Sequence, residues 1–288
     1  TRLHDSIFWS GGRGSRIKIS DLPEGSFPDN QIICESYEVV SPREQFLIDM
    51  DIGYALKRIR ASRGEFEFDD EDDEENPLTQ LLRARQEAEL LKVPAILDLA
   101  IEAHRQRKSP VIFVNFKETF SAILNALEKT VASEDIFQIY GGQSDDDRER
   151  QVNGFQSPES EGSIMLSMIQ AGGVGLSLHD EHGNSPRVSI ISPGFSSVEL
   201  RQALGRVHRA GGKSKAIQYI VFASNTVEDH VLNSVRKKIR NLDLLNDGDL
   251  QDPFLEDYDK NTEIYESVAL PDYVQEAEDP YSPTVNGT

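Results

Sequence analysis

The chain has 288 residues, enough for one large domain with appendages, and a formal net charge of −20. That charge is unevenly placed: residues 65–75 carry nine acids and no base, and residues 243–288 carry thirteen acids against Lys260 alone, so the rest sums to +1 and a nucleic-acid partner is not excluded. Cys34 is the only cysteine, which excludes an intrachain disulfide and a cysteine-rich metal site; no apolar run approaches ~18 residues and no signal-peptide core opens the chain, so the expectation is an intracellular protein, in nucleus or cytoplasm, with no membrane partner.

The chain starts at Thr1 without a methionine and reads as a piece of something longer. Residues 1–30 are rich in Gly, Ser and Arg, with Trp9-Ser10-Gly11-Gly12-Arg13-Gly14-Ser15-Arg16 followed by Leu22-Pro23-Glu24-Gly25, a density of Gly and Pro that marks loop. Gln31–Val40 predicts a strand. Ser41-Pro42 then caps a helix to about Arg60, with proline at the first helical position, where its missing N–H costs nothing. Residues 63–77 are an acidic low-complexity run, too charged to pack. From Leu78 to Gln106 the apolar residues recur at helical spacing, interrupted by Pro94.

A βα alternation follows. Strands are expected at Val111–Asn115, Phe137–Tyr140, Ser163–Ile169, Arg187–Ser192 and Ala216–Ala223. Helices are expected at Glu118–Lys129, Asp145–Phe155, from about Ser196, and from Val227 to about Leu245 with Thr226 as N-cap. Short apolar strands alternating with amphipathic helices predict an α/β fold, a parallel sheet with helices on both faces. Ligands of such sheets bind beyond the carboxyl ends of the strands. Residues 247–288 alternate acids with Phe254, Tyr258, Tyr265, Tyr273 and Tyr281 without a period, and read as a disordered acidic tail. The organisation expected is an irregular segment (1–30), a strand and helices around the acidic loop (31–110), an α/β lobe (111–246) and the tail.

Two stretches carry chemistry. Gln202-Ala203-Leu204-Gly205-Arg206-Val207-His208-Arg209-Ala210-Gly211 places two arginines three apart, neighbours on a helical turn, behind an N-cap at Ser196 and Ser197 with a first-turn Glu199, and ahead of a Gly211-Gly212 stop. Two planar, permanently charged guanidiniums in register suit a triphosphate. Upstream, Gln170-Ala171-Gly172-Gly173-Val174-Gly175-Leu176-Ser177-Leu178 has glycines that let backbone N–H groups approach an anion closely, whether the phosphates of ATP or those of a nucleic-acid strand.

In order and spacing these stretches resemble the last two signature motifs of superfamily-two helicases and translocases, nearest the Swi/Snf-like patterns A-G-G-x-G-L-N-L and Q-A-x-x-R-x-x-R-x-G. Weaker matches extend the resemblance over roughly residues 1–245. Val111-Ile112-Phe113-Val114-Asn115-Phe116 resembles the strand opening the second lobe. Gly141-Gly142 with Arg148, Val152 and Phe155 resembles G…R-x-x-x-[IV]-x-x-F, and Thr226-Val227-Glu228-Asp229 resembles T-[IV]-E-[DE]. Two departures stand out. Met168 and Ile169 occupy the usual hydroxyl positions, with Ser167 one step earlier, and Ser192-Pro193-Gly194-Phe195 replaces an Asp and Trp-Asn-Pro, a region in which viral and phage members also vary.

The resemblance implies a RecA-like C-terminal lobe, with residues 1–30 as the linker between two lobes or the end of the first. On it, Arg206 and Arg209 would be arginine fingers, and Gln202 and Gly175 would join them at the nucleotide. Gln170, Gly172, Gly173, Asn115 and Phe116 would meet the tracked strand. ATP and Mg2+ are the implied cofactors, with the magnesium ligands and P-loop on a first RecA-like lobe, most simply on the same polypeptide; the implied substrate is double-stranded DNA. His208 has no role in the pattern and is taken as packed or surface.

Three decoys fail. Gly212-Lys213-Ser214 lacks the glycine a phosphate loop would need at Val207, and neither Asp180-Glu181-His182 nor the acids at Asp70–Asp73 follow a buried strand as magnesium-binding acids do. The chain is therefore expected to be an incomplete ATPase by itself. Two alternatives remain: an RNA- or branched-DNA-unwinding lobe, and a non-catalytic module binding nucleic acid or a partner. The acidic tail is further expected to compete with DNA for the groove.

Overall fold

The computed structural model describes residue 23, residues 25–38, 77–171 and 176–224, and positions 226, 228 and 231. Six strands form one parallel sheet: β1 (Asn30–Glu38), β2 (Ser109–Val114), β3 (Ile136–Ile139), β4 (Ile164–Met168), β5 (Arg187–Ile191) and β6 (Ala216–Ser224), in the spatial order β1-β6-β5-β2-β4-β3. Among the described residues the helices given in full are α1 (Pro77–Leu91), α2 (Val93–Arg105), α3 (Lys117–Leu127), α4 (Asp145–Gln156) and α5 (Ser197–Val207). The predicted segment 41–60, the acidic run, residues 172–175, most of the last helix and the tail lie outside the described residues.

Because strand side chains alternate between faces, each central strand feeds two cores. Val111, Phe113, Met165, Ile191 and Ile220 point into one, closed by Phe155 of α4 and by Leu200 and Ala203 of α5. Ile112, Val114, Ile164, Leu166, Ile190 and Val221 point into the other, closed by Ile96, Ala100 and Ala103 of α2 and by Ile123 and Leu127 of α3. Helices thus cover both faces, as the alternation predicts. Continuous burial along β2 and β5 is the signature of strands covered twice.

The long helical stretch from Leu78 divides. α1 ends at Leu91 and α2 restarts at Val93 with Pro94 in its first turn, where no intrahelical N–H is needed. Lys92, at the joint, is completely buried. β1 joins the sheet as an edge strand, in register with β6 from Asn30↔Ala216 to Glu38↔Ser224.

Candidate functional site

The carboxyl ends of β2, β4 and β5 open onto Asn115-Phe116, Ile169-Gln170 and Ser192–Phe195, and α5 starts directly after the last of these. α5 forms where expected. The Ser196 hydroxyl accepts the Glu199 N–H at 3.2 Å, and Leu200, Ala203 and Val207 are its buried stripe.

The helix ends earlier than the arginine spacing suggests. His208 caps it with an extended backbone, so Arg209 lies beyond the last turn rather than on a shared helical face with Arg206. The cause is a docking contact with the segment leading into β1: a His208 ring nitrogen lies 2.9 Å from the Pro28 carbonyl, its ring meets Phe27 at 5.2 Å, and the Gly211 N–H reaches Ser26 O. Gly211 adopts φ +85°, a conformation that suits glycine. His208 is thus a packed histidine.

The two arginines still converge on one segment, because leaving the helix turns Arg209 back across it. Arg206 is 5% exposed and donates from Nη1 to Leu176 O at 3.1 Å, while its own carbonyl accepts the Leu178 N–H at 3.0 Å. Arg209 donates from Nη1 to Ser177 Oγ at 2.8 Å and from Nε to Gly205 O at 2.9 Å. Residues 176–178 directly follow the glycines, so the two motifs are joined by three hydrogen bonds although Gly172, Gly173 and Gly175 themselves lie outside the described residues. Every acceptor of these guanidinium bonds is a neutral oxygen, which leaves the positive charge uncancelled. Burial, and then the charge of Arg209, lower the Arg206 pKa. Gln202 is exposed, as is Gln170.

From the opposite side, Gln156 at the end of α4 donates from Nε2 to Ser177 O (2.9 Å) and His179 O (3.1 Å), while its Oε1 accepts from Arg187 Nη2 at 2.6 Å. The Arg187 guanidinium stacks 4.3 Å from the Phe155 ring centre, and burial pushes its pKa down to about 10. Segment 176–179 is therefore held between α5 and α4.

Asp180, rejected above as a magnesium acid, organises a loop instead. Its carboxylate accepts the N–H groups of Gly183 (2.8 Å), His182 (3.1 Å) and Ser185 (3.4 Å). Burial alone would raise its pKa, but these hydrogen bonds and the nearby Arg187 outweigh it and hold the carboxyl below its usual range. Asp180→Ala is expected to cost about 1–3 kcal/mol by stranding those donors. The Asp180 contribution is fully present above its ordinary pKa of 3.8 and lost as pH falls through the lower folded value. A denaturant titration at pH 7 and at strongly acid pH checks both: the deficit shrinks with acid.

Asn115 and Phe116 stand at the mouth of the sheet, but their polar groups are committed. The Glu89 carboxylate, 1% exposed on α1, accepts Asn115 Nδ2 at 2.7 Å, Asn115 N–H at 3.0 Å and Phe116 N–H at 3.0 Å. The second Asn115 amide proton goes to Ser192 O at 3.1 Å. Gly194 is buried against this amide, and a Cβ there would come within 2.9 Å of Asn115 Oδ1. Gly194→Ala is therefore expected to destabilise by about 1–3 kcal/mol, because an amide pinned on both sides has no room to yield; a melting temperature equal to wild type would refute it.

Next to this cluster lies a buried ion pair. Lys92 Nζ donates to Glu228 Oε1 (2.6 Å), Ser192 Oγ (2.8 Å) and Val221 O (3.0 Å). Glu228 also accepts the Ala223 N–H at 2.7 Å, and its own N–H is capped by Thr226 Oγ1 at 3.1 Å. Burial raises the Glu228 pKa and Lys92 opposes that rise. Thr226 and Glu228 thus brace the end of β6, but α1's contribution of Glu89, and the burial of Lys92, carried no signal beyond a helical period.

Among the described residues no cluster of three or more potential metal ligands occurs, and no helix is long and apolar enough to cross a membrane. Residues 91–211 match the family of the helicase conserved C-terminal domain. A protein of Acanthamoeba polyphaga mimivirus that bears the name of an ATP-dependent RNA helicase is 35% identical over 240 residues, 82% of this chain and 41% of its own length. A chromatin remodeling factor of Schizosaccharomyces pombe is 31% identical over 99 residues, 34% of this chain and 7% of that protein. The chain therefore spans less than half of either relative. Among solved structures, the C-terminal part of the Fun30 ATPase domain superposes with a TM-score of 0.52 at 14% identity, covering 73% of this chain and 90% of that one. The Sulfolobus solfataricus SWI2/SNF2 ATPase core in complex with dsDNA gives 0.53 at 18% identity, covering 81% of this chain and 48% of that one. The fold shared with both is RecA-like.

Proposed function

We propose that this chain, the C-terminal RecA-like lobe of a superfamily-two helicase or translocase near the Swi/Snf group, completes an ATP site and engages a nucleic-acid backbone within a larger polypeptide. The observation that carries the reading is the joining of Arg206 and Arg209 to residues 176–178, through neutral acceptors only. A triphosphate offers these guanidiniums charged oxygens, which form stronger hydrogen bonds than a carbonyl or hydroxyl. Arg209, the less buried of the two, is the principal finger; it stabilises charge that builds on the γ-phosphoryl oxygens. Arg206 adds charge and holds the post-glycine segment. Gln202 and Gly175 are assigned to the nucleotide, and Gly172, Gly173, Gln170 and the Asn115-Phe116 turn to the strand, Asn115 and Phe116 as backbone supports whose amides Glu89 holds. A first RecA-like lobe supplies the P-loop and the ligands of ATP-bound Mg2+.

When nucleotide draws Arg209 away from Ser177, one side of the hold on residues 176–179 loosens while Gln156 keeps the other. The glycine loop, continuous with that segment, then shifts on the strand. Lobe closure and opening around ATP supply the mechanical step.

Double-stranded DNA is the substrate proposed, on the Swi/Snf-like motif pattern. A second reading, RNA unwinding, is favoured by the name of the mimivirus relative. Displacement of a third strand from a DNA triplex, run beside unwinding of an RNA duplex, separates them in the polypeptide carrying both lobes. ATP-dependent triplex displacement without RNA unwinding is the expected result. RNA unwinding alone would select the second reading, and neither activity would overturn both.

A further inference from the structure

We propose that Arg85 is a phosphate contact for the nucleic-acid strand at the carboxyl edge of the sheet, an inference that rests on the reading above. Arg85 belongs to α1, ahead of the matched helicase domain, which begins at residue 91. Its guanidinium carbon lies 5.4 Å from the Phe116 ring centre and 4.7 Å from that of Phe195. Phe116 follows β2 and Phe195 follows β5, and these strands are paired neighbours in the middle of the sheet. The arginine thus stands at the mouth where open parallel sheets bind ligands.

Two features set it apart from an ordinary surface arginine. The first is that its charge has no direct partner: among the described residues no carboxylate lies within ion-pair distance of it and no hydrogen bond from it is formed. Three glutamates contribute to the local field, but two are spent. Glu89 accepts N–H groups of Asn115 and Phe116, and Glu228 is paired with Lys92. Glu199, on the first turn of α5, is the remaining one.

The second feature is the pair of rings. Aromatic faces hold a guanidinium by its π surface and leave its in-plane N–H fork available to an acceptor. A half-buried cation, held in place without using its donors, is suited to a ligand that brings its own negative oxygens. A backbone phosphate, met as a two-pronged fork, has that chemistry, and DNA and RNA both offer it.

The test is equilibrium binding by the polypeptide carrying both lobes, read by fluorescence anisotropy over a salt series. The probes are a labelled DNA duplex and an RNA duplex of the same sequence. Arg85→Ala is expected to weaken binding about tenfold and to lower the log–log salt slope by about 1, as removal of one phosphate contact does. Arg85→Lys keeps the slope. Phe195→Leu weakens binding with the slope unchanged, since it removes the support and not the charge. A loss confined to one duplex identifies the source of the phosphate. Wild-type affinity and slope in Arg85→Ala, or an affinity loss with an unchanged slope and a lowered melting temperature, would overturn the proposal while leaving the functional reading intact. Failure of the wild-type polypeptide to bind either duplex would sink both.

Discussion

Lys92→Met is expected to lower stability by about 3–5 kcal/mol, the range for removing one partner of a buried ion pair. Lys92 is completely buried and ties α2 to the end of β6 and the Thr226 turn through three bonds, so nothing nearby can replace its charge. In a chain of this size that shifts the melting temperature by roughly 10 °C. The pH dependence gives the effect a second signature. Without Lys92, burial and the nearby Glu89 both raise Glu228 and the Ala223 N–H is left to oppose them, so its folded pKa moves further above the ordinary 4.5. A carboxyl with a raised folded pKa loses stability as pH rises above its unfolded value and regains it below. The deficit relative to wild type is therefore largest at neutral pH and shrinks toward pH 4.5. Lys92→Met combined with Glu228→Gln should recover part of it, because the paired neutral replacement leaves no buried charge. Thermal melts of the three proteins at two pH values decide this; an unaltered melting temperature in Lys92→Met would show that the pair contributes nothing.

The second large effect is kinetic, and it separates the two arginines. Arg209→Ala gives up two bonds to neutral oxygens at a half-exposed position, so stability should change by no more than about 1 kcal/mol. Turnover should fall by ~10³-fold or more, the range for fingers in related phosphoryl transfer. Arg206→Ala should lower turnover and stability together. Arg206 is buried, and its loss strands Leu176 O and frees the segment behind the glycines, at a cost of about 1–3 kcal/mol. Equal stability losses in both variants would mean that the arginines are only struts.

The sheet was legible because parallel strands covered on both faces are nearly all apolar, and Val111–Val114, Ile164–Met168 and Arg187–Ile191 stand between clear turn signals. α5 was legible from Ser196, Glu199 and the stripe at Leu200, Ala203 and Val207. Its end was not, because the contact that stops it comes from Phe27 and Pro28, remote in sequence. The same holds for the polar cluster at the mouth. Lys92 and Glu228 are 136 residues apart, and a lysine in a helical pattern reads as solvated until the fold brings a buried acid to it. Glu89 likewise resembles any exposed helical glutamate. Asn115 and Phe116 were found through their motif, yet only the structure shows that α1 holds their N–H groups. Local pattern reveals elements and contiguous motifs; pairings across the sheet need the topology.

The central claim is that Arg209 serves ATP in a nucleic-acid-driven cycle. ATP turnover by the polypeptide carrying both lobes, with and without duplex DNA, for wild type and Arg209→Ala, tests it most directly. Turnover that rises with duplex and collapses in the variant, while nucleotide still binds, is the predicted result. Turnover that survives the substitution would contradict the account and leave Arg209 a strut between the end of α5 and Ser177.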